Sequence, residues 1–499
     1  MRERPAGGEV RPLHPRPGGF APTEVLRGGV WRFVEIAGGE GLTFLFTLLT
    51  ARLLAPEDFG VVAVATLTVT VATFVVRQGV SEALIRQPEL TERHVHTAFV
   101  ANLALGALMA LSVAILARPI AVVAHKPLLE PALLVLAPQC LLAAVTFVGV
   151  GLLRRRLDYR GLALRSLIGT VVGYGVVIPL ALHGWGAWSM ILGQLANGIA
   201  SVIVILASAG YRPRLDFGRR QARALARTAV PIAGYALPNL VGTAAVLALG
   251  LWLPAELVGA FYVAERLLQA FFMLSGGSIA DLALPVLARL AGSAADATTA
   301  FRRAFQLSAA VCLPVFCGLA LFADALVPLL FGAQWTAAIA PTRILALSGL
   351  VASFTALAAQ VLIAVGQPRA ALLAHTATVV PGAIALASLA PWGLVPALLG
   401  RALAQCTGLV AGARLLETRA GLAPATLLRD LSGPAAATAV LALLLLGLRP
   451  FGVHLPPLAR LALGGAIGAA AYGGALWFCD RALFRALASF FAQKGTPAG

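Results

Sequence analysis

Arg32, Glu35, Glu40 and Arg52 stand in the apolar run VWRFVEIAGGEGLTFLFTLLTARLLAPEDFG (30–60), and Arg77, Arg165, Glu265, Arg266, Arg343 and Arg401 stand in or beside similar runs further along the chain. An arginine's planar fork donates two parallel hydrogen bonds to a phosphate or carboxylate and stays charged at every relevant pH. Arg266, with Arg32, Arg77 and Arg401, is therefore the candidate set for holding an anionic group. A carboxylate in an apolar run has two uses: it takes and releases a proton or cation, or it neutralises an arginine and never changes state. Glu35, at i,i+3 from Arg32, is spaced for an ion pair. Glu40 and Glu265 are open to both uses, and Gly38, Gly39 and Gly41 around Glu40 permit either close helix packing or a bend. Glu265 and Arg266, as neighbours, point about 100° apart on a helix and do not simply pair with each other. Arg32 has a second reading, snorkelling to headgroups from the end of its run, and Arg52, about 30 Å further on, marks the opposite boundary.

Other site chemistry is not encoded. The sequence holds no Ser/His/Asp set, phosphate-cradling glycine loop or metal-ligand spacing, so neither catalysis nor a metal or other cofactor is expected. His94 and His96 fall in a charged loop, and the five cysteines, all in apolar runs without a CxxC pair, read as small core residues.

The elements that must position these charges are membrane helices. Of 499 residues, 59% are hydrophobic and 12% charged, and the mean hydropathy is +0.88, outside the range of soluble globular chains. Apolar runs of about 20 residues, each long enough to cross a ~30 Å hydrocarbon core, predict an all-α polytopic membrane protein with about 14 spans. They fall near 30–54, 59–80, 96–118, 129–152, 162–183, 186–209, 229–253, 257–282, 304–328, 337–364, 370–389, 392–414, 433–449 and 458–479. Asp281 then lies at the inner end of span 8. The net charge of +17 comes almost wholly from arginine, concentrated in the tail and every second loop, so both termini are placed in the cytoplasm. This loop distribution argues for a topological role and against nucleic acid as a partner. Trp185, Trp188, Trp252, Trp335 and Trp392 fall at outer helix ends and Trp31 and Trp477 at inner ends, as interfacial rings should. Residues 1–28, rich in Arg, Pro and Gly, are expected to be a disordered cytosolic tail. An internal repeat is visible: LLAPEDFGVVAVA (53–65) returns as WLPAELVGAFYVA (252–264), 199 residues or six spans later. Parallel six-helix repeats place a transport path between the halves.

The segments ARLLAPEDFG, GVSEALIRQPELTERHVHTAFVANL (79–103) and LLRRRLDYRGLALRSLIGTVVGYGVVIPLALHGWGAWSMILGQLANGIASVI (152–203), with YVAERL and LLFGAQW in the second half, resemble the polysaccharide transporters of the multidrug/oligosaccharidyl-lipid/polysaccharide (MOP) flippase superfamily, most closely the Wzx-like colanic acid exporter type. The resemblance runs from about residue 28 to past residue 415. It implies a MATE-like V-shaped bundle of two six-helix lobes plus two C-terminal helices, with helices 1, 2, 7 and 8 lining a central cavity. Lobes are expected at 29–210 and 229–415, a cytoplasmic basic linker at 211–228, the extra pair at 433–479 and a cytosolic tail at 480–499. The implied activity is alternating-access translocation of undecaprenyl-pyrophosphate-linked oligosaccharide across the bacterial inner membrane, for exopolysaccharide, capsule or lipopolysaccharide synthesis. Implied partners are the lipid-linked oligosaccharide, membrane lipids, and polysaccharide polymerase and chain-length machinery.

Two other readings use the same architecture. A MATE-type cation-coupled small-molecule antiporter usually stops at 12 helices and needs an acidic cavity, whereas this chain has an extra pair and intramembrane arginines. A lipid II flippase matches the helix count, and the motifs above resemble it less. A membrane glycosyltransferase or polymerase would need an extended loop or cytosolic domain, and the longest inner loop, about 210–228, is short and basic.

Overall fold

The computed structural model describes residues 29–77, 80–87, 90–273, 275, 294–452, 456–481 and 483–485. The tail expected at 1–28, the boundary residue Asp281 and the end of the chain from 486 lie outside these residues. Among the described residues fourteen long helices follow one another: α1 (Gly29–Leu53), α2 (Pro56–Arg77), α3 (Glu92–Val123), α4 (Leu129–Arg155), α5 (Tyr159–Leu182), α6 (Ala187–Ala209), α7 (Arg219–Trp252), α8 (Ala255–Phe272), α9 (Ala294–Leu321), α10 (Ile339–Ala364), α11 (Pro368–Leu389), α12 (Leu394–Ala420), α13 (Pro424–Gly452) and α14 (Pro457–Cys479). Among the described residues there is no strand, as a bilayer demands of a chain that must satisfy its backbone within each segment. Thirteen of the helices are long and apolar enough to cross a membrane. The exception is α8, whose described residues carry Glu256, Glu265 and Arg266, and whose expected end lies outside the described residues.

The chain divides into two compact units, Met1–Leu251 and Trp252–Gly499. In the first, α2 packs on α4, α3 on α4, α4 on α6 and α5 on α6; in the second, α8 packs on α10, α9 on α10, α10 on α12 and α11 on α12. The same partners six helices later are what the sequence repeat leads one to expect. Without a hydrophobic force between helices in lipid, small residues set these contacts. A Cβ on Gly173 of α5 would stand 3.0 Å from the Gly193 carbonyl oxygen of α6, and one on Gly106 of α3 would stand 2.8 Å from Ala144 of α4. Cys140 and Cys312 are buried as expected of small core residues, whereas Cys406 and Cys479 are exposed.

The arginine-rich stretch after α4 does more than mark sidedness. Arg155 donates from Nη1 to the carbonyls of Leu84, Ile85 and Gln87, capping the short helix Val80–Arg86, and Arg156 donates to Ala209, the last residue of α6. Cations at helix C-termini satisfy carbonyls that have no intrahelical donor. The segment expected as a linker is half helix: α7 begins at Arg219, because RRQARALART is built of good helix formers and buries Leu225 in the core of the first unit. The preceding loop is tied to the start of α3, where His94 and His96, expected in a charged loop, are instead helical and His96 is buried: Arg214 N donates to His96 Nδ1 at 3.3 Å and Gly218 N to Thr97 Oγ1 at 3.1 Å.

At the other end of α7, Lys126 in the turn between α3 and α4 donates from Nζ to the Gly250 carbonyl at 2.7 Å and to Ala124 at 3.3 Å. Its burial holds the ammonium below the usual lysine range. The cation thereby serves the C-terminal carbonyls of α7. Lys126→Met, which keeps the stem and removes the donor, is expected to loosen the end of α7. Hydrogen exchange at 245–252 should then quicken by about tenfold or more, the loss of roughly 1.5–3 kcal/mol for one buried hydrogen bond to a charged donor; unchanged exchange there would refute the role.

The extra helix pair is bound to the second unit along its length. Arg302 and Gln306 of α9 hold Asp430 of α13. Tyr472 of α14 donates to the Ala310 carbonyl at 2.7 Å, and Asp324, on the short helix Ala323–Phe331, accepts from Arg460 of α14 at 3.3 Å and pairs with Arg343 of α10 at 3.5 Å.

Candidate functional site

The first unit gathers charge around the start of α5. Arg32 and Glu35 make the pair expected from their spacing, Nη1 to Oε2 2.7 Å, with Glu35 the more enclosed, 10% exposed against 42% for Arg32. The Arg32 guanidinium also lies over the Tyr159 ring, 5.8 Å from its centre. Arg77 lies over the Phe147 ring at 5.1 Å, a cation–π contact that partly replaces lost hydration. Arg165 of α5 has Glu35, Arg154 and Arg77 as its electrostatic neighbours, and its Nε is buried without an acceptor. Arg154 in turn meets Glu82 at 3.7 Å. The cluster thus sets Arg32, Arg77, Arg154 and Arg165 against Glu35 and Glu82, and cations are in excess. Arg154 and Arg165 were not among the residues picked out from sequence for this role; the one signal for Arg165 was an arginine early in a span, at a depth like that of Arg32.

Glu40 follows the pair by less than two turns of α1. Residues Val34–Gly38 form a π-helical turn, the local widening that re-aims side chains without breaking the helix. The glycines that follow serve packing on one side only: a Cβ on Gly39 would press on Ser166 of α5, whereas one on Gly41 would meet nothing. From Gly39 to Leu53 the helix is regular. Leu45, Leu49 and Leu53 form an exposed row on it, and Leu49, nine residues or about two and a half turns beyond Glu40, lies on the opposite face. Glu40 is exposed on the side away from that leucine row.

In the second unit Glu265 of α8 is paired with Arg401 of α12. Nη1 and Nη2 of the arginine face Oε2 and Oε1 of the carboxylate at 3.3 and 3.4 Å. Arg401, selected from sequence as a cation for an external anion, thus already holds an internal one, and Glu265 neutralises an arginine in this conformation. Arg266, on the neighbouring face of α8, donates from Nη1 to Gln269 Oε1 at 3.0 Å. The structure therefore brings Arg32 and Glu35 together, and Arg401 and Glu265 together. Among the described residues no group of three or more His, Cys, Asp and Glu side chains is arranged to hold a metal ion.

Residues 49–340 match the model of a family described as polysaccharide biosynthesis protein. Over 488 residues, 95% of this chain and 98% of the relative, the chain is 28% identical to the succinoglycan biosynthesis transport protein ExoT of Rhizobium meliloti (strain 1021). It is 21% identical over 71% of each chain to the lipopolysaccharide biosynthesis protein WzxC of Escherichia coli (strain K12). Among solved structures, the lipid II flippase MurJ in an inward closed conformation shares the fold, with a TM-score of 0.75, 11% identity, and coverage of 92% of this chain and 99% of that one. With more than half its length matched by the family model and its helices in this arrangement, the chain belongs to the polysaccharide biosynthesis protein family and has the polytopic fold of the MOP flippases.

Proposed function

We propose that this protein translocates lipid-linked oligosaccharide repeat units from the cytoplasmic to the periplasmic leaflet of the bacterial inner membrane, for assembly of a surface or secreted polysaccharide. The observation that carries this reading is the end-to-end similarity to a succinoglycan transport protein. The excess of arginine over carboxylate in the first unit supports it, because the linkage between undecaprenyl carrier and sugar is a pyrophosphate, and guanidinium forks match its paired oxygens. The same excess disfavours a cation antiporter. Arg266, Arg32 and Arg77 serve as contacts for the anionic head during passage, while the hydrocarbon tail stays in lipid. Glu40, exposed opposite the leucine row of α1, is the carboxylate assigned to ion coupling. Both termini face the cytoplasm, consistent with arginine-rich alternate loops, and polymerase and chain-length proteins receive the product on the periplasmic side.

Deleting the gene is expected to trap lipid-linked repeat units on the cytoplasmic leaflet and to remove the surface polysaccharide. Extraction of labelled lipid-linked sugar, with and without a periplasm-confined glycosidase, reads both outcomes. Normal polysaccharide in a strain with no second flippase would overturn the reading, and lysis with accumulated lipid II would replace it with peptidoglycan precursor transport.

A further inference from the structure

Two arginine–carboxylate pairs in the second unit are both bidentate, one side-on through Nε and Nη2 of Arg302 and one end-on through Nη1 and Nη2 of Arg401, and they differ in tightness. Arg302 reaches Asp430 through bonds of 2.8 and 2.7 Å, Gln306 adds a third at 3.0 Å, and the carboxylate is 3% exposed. Arg401 reaches Glu265 at 3.3 and 3.4 Å. Among the described residues no second donor serves that carboxylate, and both side chains stay accessible, 16% for Arg401 and 24% for Glu265. Unopposed charge-assisted N–H···O bonds settle at about 2.7–2.9 Å, so the first pair is at its optimum and the second is beyond it. The first is a structural tie between α9 and α13 in which the carboxylate is closed off, although Arg302 itself is 42% exposed. The second is a fork loosely held by an anion that solvent or a ligand can reach.

We propose that Glu265 is an internal stand-in for the substrate's anionic group: in the resting protein its carboxylate occupies the fork of Arg401, and the paired oxygens of a lipid pyrophosphate displace it. This rests on the assignment of a pyrophosphate-linked lipid as substrate. The exchange breaks two N–H···O bonds to carboxylate and forms two to phosphate, so the hydrogen-bond count is kept. Arg401 is never left as a bare guanidinium in a low-dielectric setting, the state that costs most. Glu265 leaves towards the exposed side, where water takes up its charge. Such an exchange also selects: a neutral lipid or a ligand with one acceptor oxygen cannot replace two parallel bonds, so the pair stays closed against the uncharged carrier alcohol. Glu265 is on this account a positioning residue that acts through Arg401.

The test is the affinity of the purified full-length protein, in nanodiscs of zwitterionic lipid, for undecaprenyl pyrophosphate, with undecaprenol as the uncharged control. Glu265→Gln keeps the shape and removes the competing charge. It is expected to bind undecaprenyl pyrophosphate about fivefold more tightly, the equivalent of a partly exposed ion pair worth about 1 kcal/mol, with binding of undecaprenol unchanged. Glu265→Asp, which withdraws the carboxylate by one methylene, should shift affinity in the same direction and covers the case in which the glutamine variant fails to fold. Arg401→Gln should weaken binding by about tenfold or more. Asp430→Asn should lower thermal stability and leave affinity alone. Wild-type affinity in both Glu265 variants overturns the exchange while leaving the substrate reading intact. A wild-type protein that binds undecaprenyl pyrophosphate no better than undecaprenol overturns both.

Discussion

Arg266→Glu is expected to abolish polysaccharide export in a strain carrying it as the only copy, with the protein still present in the membrane at normal level. Arg266 sits in α8 beside Glu265 and donates from Nη1 to Gln269 Oε1 at 3.0 Å. A bond from a charged donor to a phosphate contributes about 1.5–3 kcal/mol, so removing the arginine alone should slow transport by about tenfold to a hundredfold. Reversing it puts two consecutive carboxylates, at 265 and 266, on the route proposed for the anion, and repulsion in a low-dielectric setting adds to the loss. Arg266→Lys keeps the charge and loses the fork, and partial export is expected. Surface polysaccharide per cell, normalised to the membrane-fraction level of each variant, is the measurement. Full export by Arg266→Glu would remove Arg266 from the substrate path.

Gly408→Leu is expected to have the largest effect on stability of any change discussed here. α11 and α12 approach so closely at this point that a Cβ on Gly408 would stand 2.7 Å from the Cα of Thr378 and overlap its hydroxyl. Thr407 Oγ1 donates across to the Ala377 carbonyl at 2.7 Å, and a Cβ on Gly382 would stand 2.8 Å from Gln405 Cγ. Backbone cannot yield as a flexible side chain can, so a leucine must drive the helices apart and break these contacts together. Overpacking costs about 1–3 kcal/mol where repacking is easy, and the upper end is expected because contact and hydrogen bond fail at once. Gly447→Leu is the control, since a Cβ there meets nothing within 4 Å. Detergent-solubilised Gly408→Leu should aggregate at a clearly lower temperature than wild type, and Gly447→Leu should not. Equal melting of the two would mean that the α11–α12 approach adapts.

The contrast between these residues shows where sequence reasoning reached. The Arg32–Glu35 pair was readable because its partners are three residues apart on one helix, so local geometry alone brings them together. Arg401 and Glu265 are 136 residues apart and Arg302 and Asp430 are 128 apart; each helix carries its charge in plain view, but the partner depends on how two helices rotate against each other. In the sequence Lys126 is a lone cation between two apolar runs, and only the approach of α7 makes it a cap for Gly250. Arg155 and Arg156 were legible as loop charge and not as carbonyl donors for the same reason.

What the sequence by itself determined is the class of molecule and its order along the chain. Run length, apolar content and the 199-residue repeat are local or periodic properties, and a bilayer turns each apolar run into a helix because no other open structure satisfies its backbone. The family resemblance followed from the same stretches. What only the tertiary structure decided is the setting of the charges whose neighbours lie on other helices: Glu265 closed on Arg401, Arg165 within electrostatic reach of Glu35, Glu40 exposed opposite the leucines of α1. In a medium that charges can hardly enter alone, a charged side chain is defined by what stands across from it, and that is fixed by helix packing through glycines and threonines rather than by the residues that flank it in the chain.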